Sequence, residues 1–146
     1  MAGRFEKETT INAPAAKVFD YLADFTKHPE WGSQPMSIKK TSDGPVGLGS
    51  TFAHEGKQFG NHHDTVTITE FVPGKSLAWD STGDSGVIKH WFHLEEQGAA
   101  TRVLKGSDFS GGKFAVKIAT PFINKAAPKD MQANLAKIKA KVESGG

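Results

Sequence analysis

The carboxy-terminal third of the chain limits its folding options most. Met131, Leu135, Ile138 and Val142 recur at spacings of four, three and four. That places them on one face of a helix with 3.6 residues per turn. Lys129, Lys137, Lys139 and Lys141 mostly fill the other faces. Upstream, Phe114, Val116, Ile118, Phe122 and Ile123 extend the apolar pattern, so Ser110 to Glu143 reads as one long helix. Pro121 and Pro128 interrupt it. Proline inside a helix removes a hydrogen bond and clashes with the preceding turn, so a kink or break is expected at one of them. At a rise of 1.5 Å per residue, a helix of roughly 30 residues would be about 45 Å long. Its apolar face needs a sheet to lie across.

The preceding residues carry the pattern of that sheet. Phe5 to Asn12 alternates, with Phe5, Lys7, Thr9 and Ile11 on one side, and reads as a strand with Phe5 and Ile11 inward. Ala13-Pro14 opens a helix, since proline suits the first turn. Val18, Phe19, Leu22 and Phe25 form its buried face, and a short helical turn from Thr26 to Trp31 follows. Strands are expected at Met36–Thr41, Ser50–Lys57 and Asn61–Val72, the last two turning about Gln58-Phe59-Gly60. Gly47-Leu48-Gly49 precedes a strand pattern rather than a helix, so it fails as a dinucleotide fingerprint.

Pro73-Gly74-Lys75 forms the next turn. With Phe71 opposite Ser76, Ile68 faces Trp79 and Val66 faces Ser81. Val66, Ile68, Leu77 and Trp79 then share an apolar face, and only Glu70 offends the pattern. The last hairpin joins Val87–Glu96 to Thr101–Phe109. His90, Phe92 and Leu94 are assigned inward, which leaves Val87, Trp91 and His93 outward. An outward Trp91 would be an exposed apolar patch suited to a homodimer or another partner. Ser110-Gly111-Gly112 is expected to be a flexible joint. The order strand, two helices, six strands, long helix implies an antiparallel meander and an α+β fold.

The 146 residues fit a single domain with a real core. No apolar run approaches 18 residues, and no signal-peptide core opens the chain. Cysteine is absent, which excludes disulfides and thiolate chemistry and makes a cytoplasmic location the default. The net charge of +2 is unevenly spread: seven lysines face only Asp130 and Glu143 after residue 110. Without interleaved aromatics or a nucleic-acid motif, this reads as a solvated helix face, and no nucleic-acid partner is expected.

Taken together, several stretches resemble the polyketide cyclase/dehydrase and lipid-transport superfamily, the START-like or helix-grip proteins that include the pollen-allergen fold. They are Ile11-Asn12-Ala13-Pro14 running on to Asp24, Pro29-Glu30-Trp31, Gly44 to Ser50, Glu70-Phe71 with Leu77-Ala78-Trp79, and Thr101-Arg102-Val103. The resemblance implies about seven curved antiparallel strands wrapped around the C-terminal helix, with a cavity between them. It does not imply one function, because the superfamily holds binders, transporters and enzymes.

Such a cavity would be apolar with a few orienting polar groups. Ile68, Trp79, His90 and Phe92 on the sheet would face Phe114, Ile118 and Phe122 on the helix, and Trp31 would close one mouth. The leading expectation is binding or carriage of a small, largely apolar molecule, with no cofactor. The alternative is a cyclase or dehydratase using a cavity histidine as general acid or base, with His90, His54 and Asp64 as candidates. A third reading is an interaction module whose partner senses the occupied cavity. His62-His63 point to opposite faces of a strand and no His-x-x-x-His occurs, so no metal site is expected. No Gly-x-Ser-x-Gly or phosphate-cradling loop is present.

Overall fold

The structure, a computed structural model, describes residues 3–32, 36–56, 62–83 and 86–145, with backbone alone at 62, 114 and 115. Its strands are β1 (Arg4–Ile11), β2 (Met36–Lys40), β3 (Thr51–Gly56), β4 (His62–Val72), β5 (Ser76–Gly83), β6 (Gly86–Gln97) and β7 (Ala100–Asp108). They form one sheet in the order β1-β7-β6-β5-β4-β3-β2, and every neighbouring pair is antiparallel. Between β1 and β2 lie α1 (Ala15–Ala23) and a 3-10 helix (Phe25–Glu30). After β7 come α2 (Phe114–Ile118) and α3 (Thr120–Glu143). This is the α+β arrangement that the sequence order implies and the helix-grip architecture that the family resemblance implies. The turn expected at Gln58-Phe59-Gly60 lies outside the described residues.

Alternation sets the inner face of the sheet. Phe92 and Leu94 on β6 are buried, as are Leu77 and Trp79 on β5 and Val66 and Ile68 on β4. Trp91 takes the outer face, but it is not a bare patch. Its neighbour across the β6–β7 pair is Gly106, where an added methyl group would overlap the indole. Arg4 lies 4.5 Å from the ring centre, and the indole N–H donates to Glu6 at 3.0 Å. Charged side chains from β1 therefore cover the tryptophan that the sequence marked as a partner surface.

The β4–β5 hairpin pairs Ile68 with Trp79 and Val66 with Ser81, as alternation predicts. Phe71, however, meets Leu77 rather than Ser76. A β-bulge between Ile68 and Glu70 absorbs the extra residue. It leaves Glu70 exposed, off the apolar face, and brings Phe71 inward. The Phe71 ring meets that of Phe19 edge-on at 5.1 Å.

The C-terminal segment breaks once, between α2 and α3. Pro121 sits in the first turn of α3, where a missing N–H has no helical partner to lose. The helix runs through Pro128 without ending. Met131, Leu135, Ile138 and Val142 are all buried, as their spacing requires. Ile118 and Phe122 are not: they are 65% and 70% exposed. Val116 and Ile123 take the inward positions instead. Ile118 follows Val116 by two residues, about 200° round the helix, and Phe122 stands about 100° from Ile123.

The Ser110-Gly111-Gly112 joint is a close contact rather than a loose hinge. Gly112 bridges to Gly86, and the Val87 N–H donates to the Gly111 carbonyl at 3.0 Å. A β-carbon at Gly86 or Gly111 would strike neighbouring backbone, and one at Gly112 would strike Val116. Glycine is needed here so that two backbones can touch. Among the described residues, no helix is long and apolar enough to cross a membrane.

The helix faces give a direct test. Ile138→Ala should lower stability by about 3 kcal/mol, because it opens a cavity under α3. Phe122→Ser should change it by less than about 0.5 kcal/mol. Urea unfolding of the two variants measures both.

Candidate functional site

Among the described residues, the buried apolar side chains fall into two clusters. The larger includes Phe25, Trp31, Trp79, Phe92 and Leu135; the smaller is Ile88, Phe109, Val116, Ile123 and Ala127. Polar groups stand where one gives way to the other. On β6, His90 lies between Ile88 and Phe92. On β7, buried Lys105 and Ser107 lie between Val103 and Phe109. On α3, Met131 and Asn134 lie between Ala127 and Leu135, and Met131, though buried, joins neither cluster. The β6–β7 register aligns His90 with Ser107 and Phe92 with Lys105. The result is a polar seam across the inside of the protein.

Aromatic rings form the wall on the larger cluster's side. Trp79 stacks on His90 at 5.3 Å and tilts against Phe92 at 5.7 Å. Trp31 meets Phe92 edge-on at 5.8 Å and His28 at 4.7 Å. The 3-10 helix ends beneath Trp31, and α3 fixes that end, since the Asn134 side-chain amide donates to the Trp31 carbonyl at 2.7 Å. The Trp31 indole N–H is buried and has no hydrogen-bond partner among the described residues.

Both histidines of this wall are held neutral. His28 donates from Nε2 to the Leu22 carbonyl at 2.9 Å, which fixes its tautomer because a carbonyl can only accept. Burial pushes its pKa down to about 4, despite that hydrogen bond. His90 shares a 2.9 Å hydrogen bond between Nδ1 and the Ser107 hydroxyl. Burial of its ring, then the nearby charges of Lys105, His28 and His54, push its pKa down to about 3.

Lys105 is the unusual group. It is 6% exposed, and no carboxylate among the described residues lies within ion-pair distance. Its ammonium sits 5.7 Å from the Trp31 ring centre and 5.8 Å from that of Phe92, within reach of cation–π attraction. Burial lowers its pKa to about 8, and only the field of Asp130 on α3 opposes the shift. An amine held at about 8 rather than 10.5 costs the fold about 3 kcal/mol at neutral pH.

The sequence-derived candidates divide cleanly. Trp31, Trp79, His90 and Phe92 meet along the seam, and Ile68 is buried opposite Trp79 on β4. Phe114 opens α2, and its side chain lies outside the described residues. Ile118 and Phe122 face solvent and do not line the interior. His54 and Asp64 are cross-strand neighbours on β3 and β4, with Nδ1 and Oδ2 3.7 Å apart. His63 turns outward, 3.2 Å from Glu55. The sequence reading missed Lys105. Its signal was available, because the turn that pairs Gln97 with Ala100 also sets Phe92 against Lys105.

An open concavity of about 560 Å³ lies elsewhere, on the outer flank of α1. Phe19, Asp20, Lys75, Leu94 and Glu95 are among its walls, and none of the sequence-derived ligand residues lines it.

Comparison with known proteins agrees with this architecture. The family profile described as polyketide cyclase/dehydrase and lipid transport matches residues 2–143. The chain belongs to that family. A START superfamily protein from Mycobacterium smegmatis superposes with a TM-score of 0.80 at 15% identity, covering 99% of this chain and 100% of the other. The Zhui aromatase/cyclase from Streptomyces sp. R1128 gives 0.77 at 16% identity, over 96% and 93%. Ara h 8.0201 gives 0.69 at 15% identity, over 97% of each chain. At these identities the structures establish shared fold alone. No curated protein sequence matches the chain.

Two measurements check the electrostatics. His28 and His90 ionise less readily folded than unfolded, so the unfolded chain binds more protons below about pH 6.5. Stability should therefore fall as pH drops from about 6.5 towards 4. His28→Gln should remove about one proton from that uptake, read from the pH dependence of urea unfolding. Lys105→Met should raise stability at pH 7 by up to about 3 kcal/mol, because it deletes a buried charge.

Proposed function

We propose that the protein binds or carries a small, largely apolar molecule at the seam between sheet and α3. One observation carries this reading: polar groups interrupt the hydrophobic core where two apolar clusters fail to join, and the Trp31 N–H there has no partner among the described residues. Buried polar groups are normally satisfied, and those left open in a fold are a reason to look for an occupant. The aromatic wall suits a flat apolar body. Met131 supplies a flexible, polarizable surface opposite it. Family membership supports the same reading, since the family description includes lipid transport.

Native mass spectrometry of freshly purified protein tests this. A small-molecule mass excess that disappears on denaturation is expected. A bare protein mass, together with tryptophan fluorescence that no flat apolar compound perturbs, would sink the reading.

The second reading is a cyclase or dehydratase. The family description names these activities, and one structural neighbour is an aromatase/cyclase. His90 and the His54–Asp64 pair are its candidate acid–base groups. A histidine with a pKa of about 3 is a weak base at neutral pH, whereas an amine near 8 is better matched to proton transfer. Carriage alone predicts that His90→Ala and His54→Ala leave ligand affinity broadly intact and that no product forms. Catalysis predicts that one of them abolishes turnover while binding survives, measured by mass spectrometry of the released small molecule.

A further inference from the structure

The ligand-binding reading leaves open the chemistry of the occupant, and the polar groups of the seam narrow it. Among the described residues, two donors beside the seam have no partner. Lys105 enters from β7 with no carboxylate in ion-pair range, and the Trp31 N–H enters from the end of the 3-10 helix with no acceptor. The neighbouring donors are already engaged: His28 Nε2 with the Leu22 carbonyl, and the Asn134 amide with the Trp31 carbonyl. Asp130, the acid whose field reaches Lys105, sits at an exposed position on α3 and makes no ion pair with it. Two unpaired donors, one of them charged, stand against a wall of rings.

Resting on the binding reading above, we propose that the seam recognises an organic acid. The Lys105 ammonium and the Trp31 indole N–H hold its carboxylate, and its flat apolar body lies against Trp79 and Phe92. A buried cation needs a counter-charge, and the described residues supply none within ion-pair distance. The ammonium lies 5.7 Å from the centre of the ring that carries the second donor. The two oxygens of a carboxylate can accept hydrogen bonds of about 2.8 Å from two neighbouring donors. A neutral ketone or alkane would leave the charge unpaired. A ligand cation would be repelled by the Lys105 charge.

Isothermal titration calorimetry at pH 7 with 2-naphthoate and its neutral methyl ester separates the outcomes. The wild-type protein should bind the acid at least about tenfold more tightly than the ester, as a charge-assisted hydrogen bond implies. Lys105→Met should weaken the acid by about 30-fold or more and leave the ester within about threefold. Trp31→Phe keeps the ring and deletes the N–H, so it should weaken the acid by about fivefold. Lys105→Gln serves as a second, polar replacement, and thermal melts confirm that each variant is folded. Equal wild-type affinity for acid and ester, or full retention of acid binding in Lys105→Met, overturns the inference and leaves apolar carriage standing. If neither probe binds while native mass spectrometry still finds a neutral occupant, the inference falls alone. If no occupant is found either, both readings fall.

Discussion

The sheet has one apolar face, and that face must be covered. Leu77, Trp79, Phe92 and Val103 on neighbouring strands are buried together on it, and nothing on the sheet itself can hide them. Two elements supply the cover. From α1 come Val18, Phe19 and Leu22, and from α3 come Leu135, Ile138 and Val142. Each of these side chains is worth about 1.5–3 kcal/mol when fully removed from water. The lengths and directions of both helices follow from the requirement to lie across this surface. So does the close glycine contact that carries the chain from β7 into α2.

The cover is continuous at one end and interrupted in the middle. A small domain gains most by joining its apolar side chains into one core. Here a lysine, two serines' worth of hydroxyl chemistry at Ser107 and Ser81, and a neutral histidine stand among those side chains. Lys105 makes the folded state less stable than a methionine there would. A residue that weakens the fold and has no carboxylate partner among the described residues is where function is sought. The neutral histidines act differently: each gives one ring nitrogen to a protein partner and contributes an aromatic face to the wall.

Much of this was legible in the residues. Alternation located the inner faces of β5 and of β4 up to Ile68, and the spacing of Met131 to Val142 located the buried stripe of α3. On β6 both faces carry bulky side chains, so alternation left its inner face open, and Phe92 and Leu94 take it. Elsewhere local pattern and tertiary context diverged. Ile118 and Phe122 are apolar, yet the turn at Ala119 and the close packing of Val116 on Gly112 commit the other face to the core. Trp91 looked like an exposed patch because its cover comes from β1, 85 residues away in the chain. Lys105 was passed over because a lone lysine in a strand reads as solvent-facing, and only its register opposite Phe92 says otherwise. The glycines of residues 111 and 112 suggested looseness, whereas the absence of side chains there serves proximity.

The bulge between Ile68 and Glu70 limits how this protein can change. Before it, even-numbered residues of β4 face the core; after it, Phe71 does. Unbroken alternation through Thr69 would exchange the roles of Glu70 and Phe71, with the carboxylate set against Phe19 and the ring in water, whereas loss of Thr69 would flatten the bulge and keep both on their present faces. Point replacements of exposed residues there leave that phase intact. Among descendants of this chain, a residue lost at Thr69 would therefore leave both faces as they are, whereas one added between Ile68 and the Pro73-Gly74 corner would turn Phe71 outward unless the bulge widened to absorb it.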